Sequence, residues 1–457
     1  MTLTIIKNQS NPAFQLKHIY SVFIYISVLN IFLFIVGCST SRQLPPSEVK
    51  TGNKLWDSLN LEASHHVGLS VYDVQKGKYL FNHRENNLFT PGSNVKLFTL
   101  YTALQFLDEN IPAGYYQERK DTIVVWGGGD PGTKYPDIHA ESPFINFLKK
   151  TDKQIVFSDN HFKSKRFGAG WSWDDFPYSF QTEKTAFPIY GNKIWIERSH
   201  DTVKVIPTYF NIVVSIKRDT LQKLFRNETG THYDYMYDHR LPRSLISMPA
   251  SLYQNDIRFI WKEAVGKDIT FLDVPFVKSA LQIDGSKRDT LLKWMMQESD
   301  NFVAEQLLLA CALKQTGVMN EKEFIKQLLR GPFASMPDSV YWVDGSGLSR
   351  YNLLTPRSLV WVLDKILQKK GLEYIKSIFA AGGESGTILK DYINDDGEPY
   401  IYAKTGTLRN VYCLSGILIT RTGKVLLFSW MNNQLKTDSS EIKNSMEIFL
   451  TYLRDQY

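Results

Sequence analysis

The sequence predicts an α/β domain interrupted by a large β-rich insertion. Three observations carry that expectation. A hairpin followed by an apolar helix stands near the start, and a hairpin followed by an amphipathic helix closes the chain. Between them, short β-like runs are separated by turn residues. Units of the same kind at both ends can share one sheet, so the middle reads as inserted into a single domain.

The opening unit is "HVGLSVYDVQKGKYLFNH", two partly alternating runs around Lys76-Gly77-Lys78. "NVKLFTLYTALQFLDE" follows, with Val95, Phe98, Leu100, Leu104 and Leu107 at helical spacing. The texture then changes to "DTIVVWGG", "KQIVFSD", "NKIWIER", "TVKVIPTYFNIVVSIKR" and "DITFLDVPFV". Helical patterns return in "DTLLKWMMQESDNFVAEQLLLACALKQ" and "TPRSLVWVLDKILQKK". "CLSGILIT", the turn "RTGK" and "VLLFSWMNN" form the closing hairpin, and "SSEIKNSMEIFLTYLRDQ" the last helix. The expected division is a first segment over 55–118, the insertion over 119–283 and a second segment over 284–457.

At 457 residues the chain exceeds one ordinary core, and its 43% hydrophobic content supports a folded protein. The net charge of +6 is mild and no basic block stands out, so nucleic acid is not an indicated partner. Residues 1–38 read as a bacterial secretory signal. Lys7 and Lys17 precede an apolar stretch from Ile19 to Val36, then "IVGCSTS". Gly37-Cys38 resembles a lipoprotein lipobox, in which Cys38 becomes the lipid-bearing first residue and anchors the chain to a membrane. The apolar run is also about long enough for a plain transmembrane anchor. The cysteine at its end, followed by small polar residues, favours the lipoprotein. Residues 39–54 form a polar, proline-containing tether. Cys311 and Cys413 sit in apolar surroundings and read as buried free thiols. Cys-x-x-Cys and His-Glu-x-x-His are missing, so no metal site or cofactor is indicated.

Ser-x-x-Lys occurs at Ser47/Lys50, Ser93/Lys96 and Ser440/Lys443. The spacing puts both side chains on one helix face. The lysine must also be poorly solvated if its neutral form is to take the serine proton. Only Ser93/Lys96 leads into a strongly apolar helix; the first pair lies in the tether and the last opens a helix that looks solvated. Ser-Asp-Asn occurs at 158–160, where it reads as a turn, and at 299–301, between two helical stretches. Lys404-Thr405-Gly406 stands in "IYAKTGTLRN". "GGGDPGTK", 127–134, has the glycines of a phosphate loop, but Thr133 and Lys134 are reversed and Pro131 removes an amide donor. Asp130 reads as a turn residue, and the adjacent pairs Asp174-Asp175 and Asp395-Asp396 as turn or surface groups.

Ser-x-x-Lys, Ser-Asp-Asn and Lys-Thr-Gly in that order are the words of penicillin-recognising serine enzymes. The chain resembles the class C low-molecular-mass penicillin-binding proteins, the D-alanyl-D-alanine carboxypeptidase/endopeptidase family. The resemblance runs from about residue 55 to the end, through "TPGSNVKLFT", "WGGGDPG", "GWSWDDFPYSF", "YGN", "SDNFVAEQLL", "DGSGLSRYN" and "AKTGTL". The stretch between the first helix and "WGGGDP" is short for that family. The resemblance implies a β-lactamase/transpeptidase-like fold, with an antiparallel sheet flanked by helices.

It also implies the roles. Ser93 attacks the carbonyl of the penultimate D-Ala of a peptidoglycan stem peptide and becomes acylated. Lys96 takes its proton, Ser299 relays a proton to the leaving amine, and Asn301 holds the substrate amide. Lys404, Thr405 and Thr407 bind the substrate carboxylate, and Gly406 lets the substrate backbone lie close to the strand. The Ser93 and Thr407 amides form the oxyanion hole. β-Lactams acylate Ser93 in the same way. "DGSGLSRYN" is a marker that packs near the site without a catalytic part. The competing readings are a serine β-lactamase, which needs a second base for deacylation, and a catalytically idle wall-binding lipoprotein.

Overall fold

The computed structural model describes residues 52–457 apart from 62–63, 139–141, 200–201, 217–222, 228–231, 239, 241, 395–396 and 437–438. The signal segment, Cys38, most of the tether, Ser47/Lys50 and Asp395-Asp396 lie outside the described residues. The chain divides at Lys54/Leu55, and the fold is that of the unit Leu55–Tyr457.

Strand β1 (His66–Asp73) and β2 (Lys78–His83) are the predicted opening hairpin. β3 (Ala380–Ala381), β4 (Ile401–Leu408), β5 (Val411–Ile419) and β6 (Val425–Asn433) come from the other end of the chain. They form one sheet in the order β3-β4-β5-β6-β1-β2, antiparallel throughout. The two ends meet along β1 and β6, from His66 opposite Asn433 to Asp73 opposite Leu426. Both faces of the sheet are covered, so every residue of β6 is buried even though its side chains alternate between them. Leu426, Phe428 and Trp430 enter one apolar cluster, and Leu427 and Met431 another on the opposite face.

On the first face, helix α4 (Ser439–Gln456) packs Phe449 against Trp430, Trp56 and Phe81. The second face carries helices α1 (Lys96–Phe106), α2 (Asn301–Thr316) and α3 (Pro356–Lys370). α2 is buried continuously from Phe302 to Leu313, which fits its apolar composition on all sides. Cys311 and Cys413 are both free and buried.

The insertion holds a five-stranded sheet and two three-stranded sheets. Its five-stranded sheet runs Ile269–Phe271, Gln154–Ser158, Thr122–Gly127, Asn110–Glu118, Leu281–Lys287. Thr122–Gly127 and Gln154–Ser158 are parallel, so they need a crossover. Helix Pro143–Lys150 supplies it, and helix Gln254–Val265 precedes the parallel strand Ile269–Phe271. The insertion is therefore mixed rather than only β-rich. Its sheet also reaches beyond the expected 119 and 283, to Asn110 and Lys287. Asn110–Glu118 contains Pro112 and Gly114, residues that weaken a strand. Pairing on both edges makes it a strand, with a register shift opposite Pro112.

Asp130 does form a turn, accepting from the Gly132 amide at 2.9 Å. It also ties the sheet's last strand down, accepting from the Ser286 amide at 2.9 Å and its hydroxyl at 3.0 Å. Glu183 joins separate parts of the insertion, accepting from Arg166 and Arg226, each at 2.9 Å, and from the Leu252 amide at 3.0 Å. Pairing from several sides is what allows so buried a carboxylate.

Candidate active site

Ser93 sits in a single 3-10 turn, Gly92–Val95, that runs directly into α1. Its hydroxyl does not cap the helix. It points instead to Lys96, the first residue of α1, one turn on. Lys96 is 0% exposed. Its Nζ lies 2.9 Å from Ser93 Oγ, 2.6 Å from Asn301 Oδ1 and 2.7 Å from the Ser346 carbonyl oxygen. All three partners are neutral and come from different parts of the chain. Burial lowers the Lys96 amine to about 8, although Asp300, Asp344 and Glu305 oppose that shift from a distance.

The second Ser-Asp-Asn word forms the polar connection into α2. Ser299 has φ of 60°, a left-handed conformation uncommon for a residue with a Cβ. Asp300 caps α2 by accepting from the Val303 amide at 2.9 Å. Its other oxygen accepts from Tyr135 Oη at 2.5 Å and Trp294 Nε1 at 3.2 Å, and Lys193 Nζ donates to Tyr135 at 2.8 Å. Burial alone would raise the Asp300 carboxyl; Lys193 and these hydrogen bonds hold it below the usual carboxylate range. With Asp300 fixed, Asn301 directs Oδ1 at Lys96 while Nδ2 donates to the Phe180 carbonyl at 3.1 Å. Both ends of that amide are engaged, so it cannot turn over without losing both bonds.

Lys404, Thr405 and Gly406 lie on β4 just before Thr407, and of these four only Thr407 lines the cleft. Lys404 is fully buried and donates to the Thr405 carbonyl at 3.1 Å. Burial, with the charge of Lys96 nearby, drives its amine well below the ordinary value. Thr405 donates to Thr387 Oγ1 at 2.8 Å. A Cβ on Gly406 would stand 2.2 Å from the Pro91 carbonyl oxygen, and one on Gly347 2.0 Å from that of Gly92. The space beside Gly406 is thus filled by the turn that carries Ser93. That close approach requires the glycine, in place of the room for substrate backbone expected from the sequence.

A cleft of about 350 Å³ is lined by Ser93, Ser299, Asn301 and Thr407, so these four predicted residues share one surface. Asp174, Asp175 and Phe180 of the insertion line it as well, together with Arg350 and Arg409. The acid pair read as turn or surface groups does form a turn, Trp173–Asp175, but that turn borders the cleft. Burial raises the Asp175 carboxyl, with Arg350 opposing and Asp174 adding to the shift. A larger cavity of about 560 Å³ lies in the insertion among Tyr209, Phe210, Tyr233 and Asp256 and contains none of the predicted residues.

The loop "DGSGLSRYN" supplies the Ser346 carbonyl to Lys96, a contact that the sequence did not indicate. Asp344 organises the loop, accepting from the Gly347 and Ser349 amides, Asn352 Nδ2 and, from the insertion, Trp171 Nε1 at 3.0 Å. The other copies of the words among the described residues are engaged elsewhere. Lys443 pairs with Asp391 at 3.0 Å, and Ser158 accepts from the Asn160 amide at a strand end. Among the described residues, no group of three His, Cys, Asp or Glu side chains is placed to hold a metal ion.

A profile of the D-Ala-D-Ala carboxypeptidase 3 (S13) family matches residues 54–217 and 272–453. D-alanyl-D-alanine carboxypeptidase DacB of Haemophilus influenzae is 23% identical over 443 residues, covering 87% of this chain and 91% of that one. Penicillin-sensitive carboxypeptidase A of Dictyostelium discoideum is 24% identical over 429 residues, covering 77% and 79%. The crystal structure of penicillin binding protein 4 (dacB) from Haemophilus influenzae superposes with a TM-score of 0.68. It is 20% identical in sequence and covers 89% of this chain and 100% of that one, which establishes the fold.

Gly406→Ala tests the backbone contact between β4 and the Ser93 turn. The added methyl is expected to destabilise the protein by about 1–3 kcal/mol, as overpacking does, measured by thermal unfolding. An unchanged unfolding midpoint would show that the turn yields freely.

Proposed function

Because the chain belongs to the D-Ala-D-Ala carboxypeptidase 3 (S13) family, we propose that it is a serine DD-peptidase. It hydrolyses peptidoglycan stem peptides ending in D-Ala-D-Ala, as carboxypeptidase, endopeptidase or both, and β-lactams inhibit it. The observation that carries this reading is the environment of Lys96. A neutral amine has two N–H groups and one lone pair. Asn301 Oδ1 and the Ser346 carbonyl accept the two N–H groups, which turns the lone pair to the Ser93 hydroxyl.

Lys96 then takes the Ser93 proton as Oγ attacks the carbonyl of the penultimate D-Ala. The carbonyl oxygen becomes an oxyanion held by the Ser93 and Thr407 amides, donors worth on the order of 3 kcal/mol each in such sites. Ser299 passes a proton to the departing amine, the D-Ala leaves, and water releases the acyl group. Asn301 holds the substrate amide. Lys404 contributes its amine toward the terminal carboxylate, and Thr405 and Thr407 their hydroxyls. Gly406 serves by letting β4 and the Ser93 turn meet.

We further propose that the protein is exported, with lipid on Cys38 anchoring it to a bacterial envelope membrane on the periplasmic side. The basic, apolar and small-residue order before Cys38 supports this. Metabolic labelling with an alkynyl fatty acid should mark the wild type and not Cys38→Ala. An unlabelled wild type would contradict the anchor.

Incubating the protein with a labelled penicillin tests the reaction. A lasting adduct is expected on the wild type and none on Ser93→Ala, read by intact mass. Rapid penicillin turnover without adduct would favour a β-lactamase, and no reaction would favour the idle wall-binding protein. Release of D-Ala from a stem peptide, beside cleavage of a crosslinked dimer, separates the two peptidase activities.

The lowered Lys96 amine sets the pH dependence. The active form is the neutral amine, so the second-order rate of penicillin acylation should rise with pH through an acidic limb near 8. Below that limb, the rate should fall about tenfold per pH unit. A rate that stays constant through this range would contradict Lys96 as the base.

A further inference from the structure

The Ser346 carbonyl can aim at Lys96 only if its peptide plane is held. Two consecutive planes in "DGSGLSRYN" are held at both ends. In the first, the Gly345 carbonyl accepts from Thr99 Oγ1 at 2.6 Å and the Ser346 N–H donates to Glu305 Oε1 at 2.8 Å. In the second, the Ser346 carbonyl accepts from Lys96 at 2.7 Å and the Gly347 N–H donates to Asp344 at 2.9 Å. Lys96 and Thr99 lie one turn apart on α1, as Asn301 and Glu305 do on α2. The loop lies close against α2 here, since a Cβ on Gly345 would stand 2.7 Å from the Ala304 carbonyl oxygen.

Glu305 is 1% exposed. Behind it, its Oε2 faces Lys184 Nζ at 3.8 Å, and Lys184 also pairs with Glu321 at 2.6 Å. Asp344 and Glu321 are the other charged groups that act on it, and its own charge acts in turn on Lys96. Burial, and then the charge of Asp344, push the Glu305 carboxyl up to about 7 against the pull of Lys184.

We propose that Glu305 is a positioning residue for acylation: by fixing the Ser346 amide it holds the peptide plane next to the one whose carbonyl faces Lys96, and it places negative charge behind that amine. The inference rests on Ser93 and Lys96 acting as proposed above. Its two effects are separable. Holding the Ser346 amide needs only an acceptor oxygen, which glutamine retains. Favouring the ammonium form of Lys96 needs the charge, which glutamine lacks. Removing the charge therefore moves the Lys96 titration to lower pH.

The test is the rate of acylation of the full-length chain by a fluorescent penicillin, followed across pH. Glu305→Gln should acylate within a few-fold of the wild type on the alkaline plateau, with its acidic limb displaced to lower pH. Glu305→Ala, which leaves a buried amide without its acceptor, should be about ten- to a hundred-fold slower at every pH. An unmoved acidic limb in Glu305→Gln, or wild-type rates in Glu305→Ala, would overturn the proposal. Should the alanine variant fail to fold, the glutamine profile decides alone. A wild type that leaves Ser93 unlabelled refutes the functional reading instead; a labelled wild type with an unmoved glutamine profile refutes only the role of Glu305.

Discussion

An amine that is shut off from water and bonded only to neutral oxygens holds its proton weakly. Lys96 is such an amine, fully buried between Ser93, Asn301 and Ser346. Burying it is costly, and the surroundings are built so that each of its bonds is made with good geometry. α1 brings the amine under the cleft, α2 brings Asn301, and the loop after Tyr341 brings a carbonyl. The carboxylates Asp300, Asp344 and Glu305 hold these partners in place without touching the amine themselves. A carboxylate in contact would have restored the ammonium form and removed the base.

The insertion takes part in that arrangement. Its Tyr135 and Lys193 fix Asp300, its Phe180 carbonyl fixes the amide of Asn301, and its Trp171 reaches Asp344. The Phe180 contact is one step removed from Lys96, through Asn301, and the others act through Asp300 and Asp344, which do not touch the amine. The same segment lines the cleft with Asp174 and Asp175. A substrate that enters therefore meets the insertion and the serine turn together.

Much of this was legible in the sequence, because short words carry local geometry. Ser93 and Lys96 at helical spacing before an apolar helix were enough to suggest a shared face and a dry lysine. The terminal hairpins were visible as alternation and turns, and they do pair in one sheet. Words alone do not decide, since Lys-Thr-Gly also stands at Lys50-Thr51-Gly52 in the tether. What escaped has physical reasons. The Ser346 carbonyl is a backbone atom, which every residue type presents alike. Asn110–Glu118 is a strand because it has partners on both edges, which its own composition does not announce. Asp174 and Asp175 matter only because distant chain folds beside them, next to Arg350.

The most direct measurement is the titration of Lys96 itself. In protein carrying lysines labelled with carbon-13 at the ε position, its resonance can be assigned by its absence from Lys96→Arg and followed with pH. The account predicts a midpoint of about 8 in the free protein. A midpoint near 10.5, the ordinary lysine value, would contradict it, because the amine would then be a solvated cation and not a base for Ser93.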